Sequence, residues 1–387
     1  MKVKRNIVVL CSSPLQVVNA KSAIDYLYKI SECNTYIVIN HHELTIDAIN
    51  LIRDIAYKLN FLEVFDLSQY SLFSKPINLN EQKRFNFGSK CFDLILDKKY
   101  KYKYIKEYID QNIGRVDCVF CRSKYSKNDL IFLKSCGKVD KFYGIEDGLA
   151  DYIPVSWKYA TLNKYEIFLS LKNTLLNFFK VIACAMATRK IRDSIDLFYS
   201  KKIKFEQKFS NMRVVNRVII GDFFLKNVQK LYEYADQDKN INVLIIGTLM
   251  LDKRFDMSIL REVEIYNSII DHIIVAHKVN RKNIWYKPHP RLAKDSWSFK
   301  KANLNCSIYP LAGNFLSDVE LCNKNISAVY SVGSTSLFYA KEIFGKESYL
   351  IDIKSEKVHP STYQVYYHMA IKLDLKIVKI YCNPPKN

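Results

Sequence analysis

The segment "NIVVLCSSPLQVVNAKSAIDYLYK", near the start, restricts this chain to few folds. Residues 7–11 are a short apolar run rich in β-branched side chains. Turn formers bound the run, so it reads as a buried strand. Ser12, Ser13 and Pro14 then lead into an apolar-periodic stretch, with Ser13 placed to cap a helix and Pro14 at its first position. The unit recurs. "NTYIVIN" is a second strand, "DAINLIRDIAYKL" has helical periodicity, and "VDCVFCRS" and "KFYGIEDG" are further strand-then-loop units. Alternation of this kind predicts a parallel, doubly wound α/β sheet.

The polar stretch "YEYADQDKNIN", residues 232–242, interrupts the pattern and resembles a linker. A second alternating series follows: "NVLIIGTLM" with a Gly247–Thr248 turn, "NIWYKPHPR", "ISAVYSVGSTSLFYAKEIFG" and "ESYLIDIK". A chain of 387 residues exceeds one ordinary core. The expectation is therefore two Rossmann-like domains facing a central cleft, residues 1–234 and 242–387. A helix-rich insertion without clear strands is expected at about residues 154–212. Within it, "YEIFLSLKNTLLNFFKVIACAMATRK" would form a helix with a wide apolar face and a narrow polar stripe. A core helix is the default reading. A homodimer interface and an interfacial membrane helix are the others.

Lys and Arg number 59 against 39 Asp and Glu, a formal net charge of +20. Such a field attracts anions: nucleic acid, anionic lipid headgroups or sugar nucleotides. The charges are spread along the chain, as on ordinary lysine-rich surfaces. The basic-aromatic run "DKKYKYKYIKEYI" would suit RNA or an anionic membrane face. It has helical character, and no RNP-like or finger motif accompanies it, so no nucleic-acid partner is expected. The ten cysteines lack framework spacing, and the C-x-x-C at Cys118 and Cys121 sits in a strand-like segment. Reduced buried thiols and a cytoplasmic setting follow. The first apolar run is too short for a secretory signal, and no stretch of 18 apolar residues predicts a transmembrane helix.

Four turns carry candidate chemistry. "YGIEDG" puts Glu146 and Asp147 at a strand end, followed by Gly148, where a desolvated acid can serve as general base. An acidic turn that merely caps a helix has the same appearance. "SVGSTSL" follows a strand with Gly333, Ser334, Thr335 and Ser336 at a helix start, which suits an anion. A plain serine cap is the bland alternative. "YKPHPR" holds His289 between prolines, with Lys287 and Arg291 adding positive potential. A surface loop whose histidine only packs would look alike. "CSSPLQ" lets a ligand approach the first strand end closely. An acid in the first half and an anion-binding histidine loop and hydroxyl turn in the second suit group transfer from an anionic leaving group.

Together "SSPLQ", "EDG", "KPHP" and "GSTSL" resemble bacterial sialyltransferases of GT-B fold. The lipooligosaccharide sialyltransferases, glycosyltransferase family 52, are the first resemblance and the polysialyltransferases the near second. The resemblance implies metal-free, inverting transfer of sialic acid from CMP-sialic acid to a glycan hydroxyl, with no cofactor. It implies a base at Glu146 or Asp147, Glu146 being preferred, and His289 on the donor phosphate as contact or acid. Ser334 and Thr335 would bind the same phosphate, with Ser336 sharing the role. Gly333, Lys287, Gly247 and Thr248 fall on the donor side. Ser12, Ser13, Gln16 and Gly148 would line the cleft on the acceptor side. A lipid-linked acceptor at the inner face of a bacterial inner membrane fits the charge. A related CMP-linked nine-carbon acidic sugar would share these motifs. A UDP-sugar transferase or a nucleotide-sugar epimerase of the same fold is the other reading, but such epimerases usually show further acidic and histidine residues in the cleft, and these have no counterpart in the sequence. The "DQD" at Asp236–Asp238 lies in the linker and reads as solvated, not as a metal motif.

Overall fold

The structure is a computed structural model. It describes residues 4–39, 46–67, 103–122, 132–133, 135–145, 194–198, 214–219, 221–234, 240–248, 258–289, 292, 294–310, 316–354, 366–367, 369–371 and 373–381. The chain divides into two compact units. The first holds strands β1 to β7 and the second β8 to β13. The chain passes between the units more than once, the last time between Phe223 and Phe224, inside the helix Gly221–Tyr232.

In the first unit, β1 (Arg5–Cys11), β2 (Cys33–Ile39), β3 (Glu63–Asp66), β4 (Cys118–Arg122) and β5 (Lys141–Ile145) form a parallel sheet in the order β3-β2-β1-β4-β5. Side chains alternate across it. Val8, Leu10, Tyr36, Val38, Val119 and Cys121 share one core with Ile105 and Ile109, four residues apart on one face of the helix 103–112, and with Ile113 just past its end. Ile7 and Val9 face the other way and are equally buried. The sheet is covered on both faces, which is why β1 reads as a continuous apolar run. Cys118 and Cys121 are buried thiols of β4, not joined in a disulfide.

The second unit repeats this topology with one more strand. β8 (Val243–Ile246), β9 (Ile284–Lys287), β10 (Ser307–Ile308), β11 (Ala328–Ser331), β12 (Glu347–Lys354) and β13 (Lys376–Tyr381) lie in the order β10-β9-β8-β11-β12-β13, all parallel. Val243 and Ile245 pack with Ile269 and Ile273 of the helix Ile259–His277. Leu244 and Ile246 pack on the opposite face with Leu337 and Phe338 of the helix Thr335–Glu342.

The insertion differs from expectation. β6 (Ser194–Phe198) lies inside residues 154–212 and pairs in parallel with β7 (Val214–Ile219). "SIDLF" alternates polar and apolar residues, a period of two that the surrounding helical pattern concealed. The long apolar stretch at residues 165–190 lies outside the described residues. Among the described residues no helix is long and apolar enough to cross a membrane. The described part of the basic-aromatic run is a helix whose Lys103 and Lys106 pair with Glu107 and Asp110 four residues on. A solvated, charge-compensated face is the simpler reading of that run.

Candidate functional site

In each of the two larger sheets the chain first builds outward from one strand, then returns to build on its other side. The crevice at that reversal, at the carboxyl ends of the strands, is where open α/β sheets bind ligands. In the second unit the reversal lies between β8 and β11. Three predicted turns follow the adjacent strands β9, β8 and β11: His289 after β9, Gly247–Thr248 after β8, and Gly333–Ser336 after β11. Residues far apart in sequence thus share one sheet edge.

Gly247 is required by packing. Its amide donates to the Lys287 carbonyl at 2.8 Å. A Cβ here would stand 2.7 Å from Tyr286 Cζ and 3.0 Å from the Lys287 carbonyl oxygen, and closer still to the Tyr286 hydroxyl. Tyr286 is fully buried, and Lys300 Nζ donates to its hydroxyl at 3.4 Å and to Glu262 Oε1 at 2.6 Å.

The His289 carbonyl accepts from the Leu292 amide at 2.9 Å, Pro288 is buried, and His289 is partly exposed. Lys287 departs from expectation. It is buried rather than displayed, and its ammonium donates to Glu320 Oε1 at 2.9 Å. Tyr309 donates to the other oxygen, Oε2, at 2.8 Å, and the ammonium lies 4.4 Å from the Tyr309 ring centroid. The charge of Lys287 is therefore matched inside the protein, since an unmatched buried charge would be costly.

The hydroxyl turn is braced from several sides. Ser334 caps its helix, accepting from the Ser336 amide at 3.3 Å, as the bland reading anticipated. A capping hydroxyl accepts with its oxygen and keeps its hydrogen to donate. Ser336 is buried and donates to Asp318 Oδ2 at 3.0 Å, with Ser317 Oγ also 3.0 Å away. Ser331 donates to the Ile246 carbonyl at 2.9 Å and accepts from the Gly333 amide at 3.2 Å, tying β11 to β8. Asp318, Glu320, Ser331 and Tyr309 were not singled out from sequence. "SDVE" reads as a solvated acidic turn, and only packing shows that both carboxylates are buried. Burial pushes the Asp318 carboxyl up to about 6, against the hydrogen bond from Ser336 and the charge of Lys287.

In the first unit, the Ser12–Gln16 turn follows β1 at the reversal between β1 and β4. Ser13 occupies the cap position, and Pro14 opens the helix Pro14–Leu27, but Ser13 makes no side-chain cap bond. Gln16 is fully buried and accepts from the Ser12 amide at 2.7 Å and the Ser12 hydroxyl at 3.2 Å. Glu146, Asp147 and Gly148 come directly after β5 in sequence and lie outside the described residues, as do Arg291 and Asp236–Asp238.

Two parallel sheets, each with its reversal at the first strand, define an α/β protein of GT-B type. A crystal structure of UDP-N-acetylglucosamine 2-epimerase shares the fold, with a TM-score of 0.50 at 11% identity, covering 97% of this chain and 90% of that one. Two others are similar at lower scores. The UDP-GlcNAc 2-epimerase from Neisseria meningitidis bound to UDP-GlcNAc gives 0.49 at 10% identity, covering 95% and 91%. The GT-B domain of the sialyltransferase from Photobacterium damselae gives 0.47 at 13%, covering 97% and 100%. No curated protein matches the chain. A profile of the alpha-2,8-polysialyltransferase family matches residues 7–352. The chain belongs to that family, the second of the two groups its motifs resemble, and is a glycosyltransferase.

Proposed function

We propose that this protein is an inverting, metal-independent transferase that moves sialic acid from CMP-sialic acid to a hydroxyl of a bacterial surface glycan. The family match supports the sialic-acid chemistry. The observation that carries the reading is the gathering of His289, Gly247–Thr248 and Gly333–Ser336 at adjacent strand ends of one sheet. A partly exposed imidazole after β9, and a helix start with a donor hydroxyl at Ser334 after β11, suit a phosphate.

In this mechanism Glu146 or Asp147 takes the proton of the acceptor hydroxyl. The acceptor oxygen bonds to the anomeric carbon of the sialic acid as the bond from that carbon to the phosphate oxygen breaks. The electron pair leaves with CMP, whose phosphate is held by the Ser334 turn and receives a hydrogen bond or proton from His289. Metal is not needed where helix amides, hydroxyls and an imidazole meet the departing charge. The acceptor is lipooligosaccharide, O-antigen or capsule, carried on lipid at the cytoplasmic membrane face.

The test is thermal stability with CMP, UDP or GDP and no added metal, on the wild type and His289→Ala. A nucleotide at 100 times its dissociation constant stabilises by about 2.7 kcal/mol. Selective stabilisation by CMP, weakened in the variant, is expected. A response to UDP alone would move the donor to another sugar nucleotide. Silence toward all three in a folded protein would sink the reading.

A further inference from the structure

Beneath the proposed donor site lies a buried ionic layer that the mechanism above does not use. The short helix Ser317–Glu320 carries two carboxylates, each facing a different loop of the site. Glu320 holds Lys287, from which the His289 loop departs. Asp318 holds Ser336, in the first turn of the helix Thr335–Glu342. The two are not equivalent. Both oxygens of Glu320 are bonded, one to Lys287 and one to Tyr309. Asp318 is only 2% exposed, yet its Oδ1 has no hydrogen-bond partner among the described residues. A buried carboxylate left half-satisfied is costly, so its retention asks for a reason other than stability.

Among the described residues, the charged groups around Asp318 are few. Lys287 approaches from β9 and favours the ionised form, while burial opposes it more strongly. Glu320 sits on the same helix and is engaged with Lys287. Cys322 follows and remains a neutral thiol, its value pushed up to about 12 by burial first and then by the Asp318 charge. Among the described residues, the Ser336 side meets it with a hydroxyl. A phosphate at the Ser334–Ser336 turn would bring negative charge close to a carboxylate already held against desolvation.

We propose that Asp318 is a positioning residue of the donor site, fixing the phosphate-facing turn through the Ser336 hydroxyl and taking up a proton from solvent when the anionic ligand binds. The inference rests on the donor reading above. Its physical content is linkage: an anion that disfavours the ionised form of Asp318 must bind with proton uptake, and binding must strengthen as pH falls through the titration of Asp318.

The experiment is calorimetric titration of the full-length protein with CMP, in buffers of different ionisation heat. The variants are Asp318→Asn, Ser336→Ala and their combination. Losing one charge-assisted hydrogen bond is expected to weaken CMP by about tenfold in each single variant. The combination is expected to be no weaker than Ser336→Ala alone, since Asp318 acts through that hydroxyl. Proton uptake is expected to be larger for the wild type than for Asp318→Asn. The protons exchanged by CMP itself are common to both and cancel. An Asp318→Asn protein that binds CMP with wild-type affinity and proton count would overturn the proposal. So would full additivity in the combination, or Ser336→Ala binding like the wild type, a result available even if Asp318→Asn does not fold. A wild type that binds no CMP defeats the donor reading, and this inference with it. A wild type that binds CMP while the variants match it defeats only the inference.

Discussion

The turn after β1 and the turn after β11 look alike in sequence. Each follows a buried parallel strand at the reversal of its sheet, and each opens a helix with small hydroxyl residues. Their interiors differ. After β1, the turn is closed by a neutral amide: Gln16 reaches back to Ser12, and the Ser13 side chain caps nothing. After β11, Ser334 caps the helix and the layer below is ionic, with Asp318 under Ser336 and Glu320 under Lys287. A hydroxyl-rich turn therefore does not say which hydroxyl is left for a ligand. That depends on what lies beneath it. In the second turn, packing engages Ser331 and Ser336 internally and leaves the Ser334 hydrogen to donate.

The sharpest way to break this comparison is to remove the ionic layer. Lys287→Ala leaves Glu320 buried without its cation. A loss of about 3–5 kcal/mol is expected, read by urea denaturation. A loss no larger than that of an ordinary surface change would mean that the second turn stands without its ions, as the first does.

The next effect concerns Asp318 and has a defined sign. Its folded value, about 6, lies above the ordinary carboxylate value. Below that ordinary value the carboxyl is protonated folded and unfolded, and burial of charge costs nothing. As pH rises toward about 6 the unfolded chain ionises first, so stability falls. Above about 6 the cost is complete, on the order of 3 kcal/mol. Asp318→Asn lacks this titration. Relative to the variant, the wild type should therefore lose stability between about pH 4 and pH 7. Denaturation of both proteins across that range checks it, and a wild type that gains on the variant would refute the sign. An Asn protein that is stable at neutral pH but weak in CMP binding would be the signature of a charge kept for function.

The smallest effect compares the caps directly. Ser334→Ala removes a side-chain cap and should cost about 1 kcal/mol. Ser13→Ala removes none and should stay within about 0.5 kcal/mol. Equal losses would erase the distinction between the turns.

Much of the first layer of structure was legible. Residues 7–11, "NTYIVIN", "VDCVFCRS" and "NVLIIGTLM" each form a strand because short β-branched runs between turn formers have few alternatives. His289, Gly247 and Ser334 were legible as strand-end residues for the same reason. "SIDLF" was not, because a five-residue strand within a sequence of helical pattern carries too little period to stand out. Asp318 and Glu320 were not, because an acidic four-residue helix reads as solvated wherever it occurs.

What the sequence determined by itself is the alternation of strands and helices, hence two parallel sheets, and the residue types waiting at their carboxyl ends. Local propensity and hydrophobic period suffice for that, since both act within one element. The tertiary structure alone decided the strand order that sets β9, β8 and β11 side by side and so brings His289, Gly247 and Ser334 to one edge. It alone decided that Lys287 faces Glu320 rather than solvent, and that Asp318 is buried against Ser336. These outcomes rest on contacts between elements distant in the chain, where burial sets the strength of every charge and hydrogen bond.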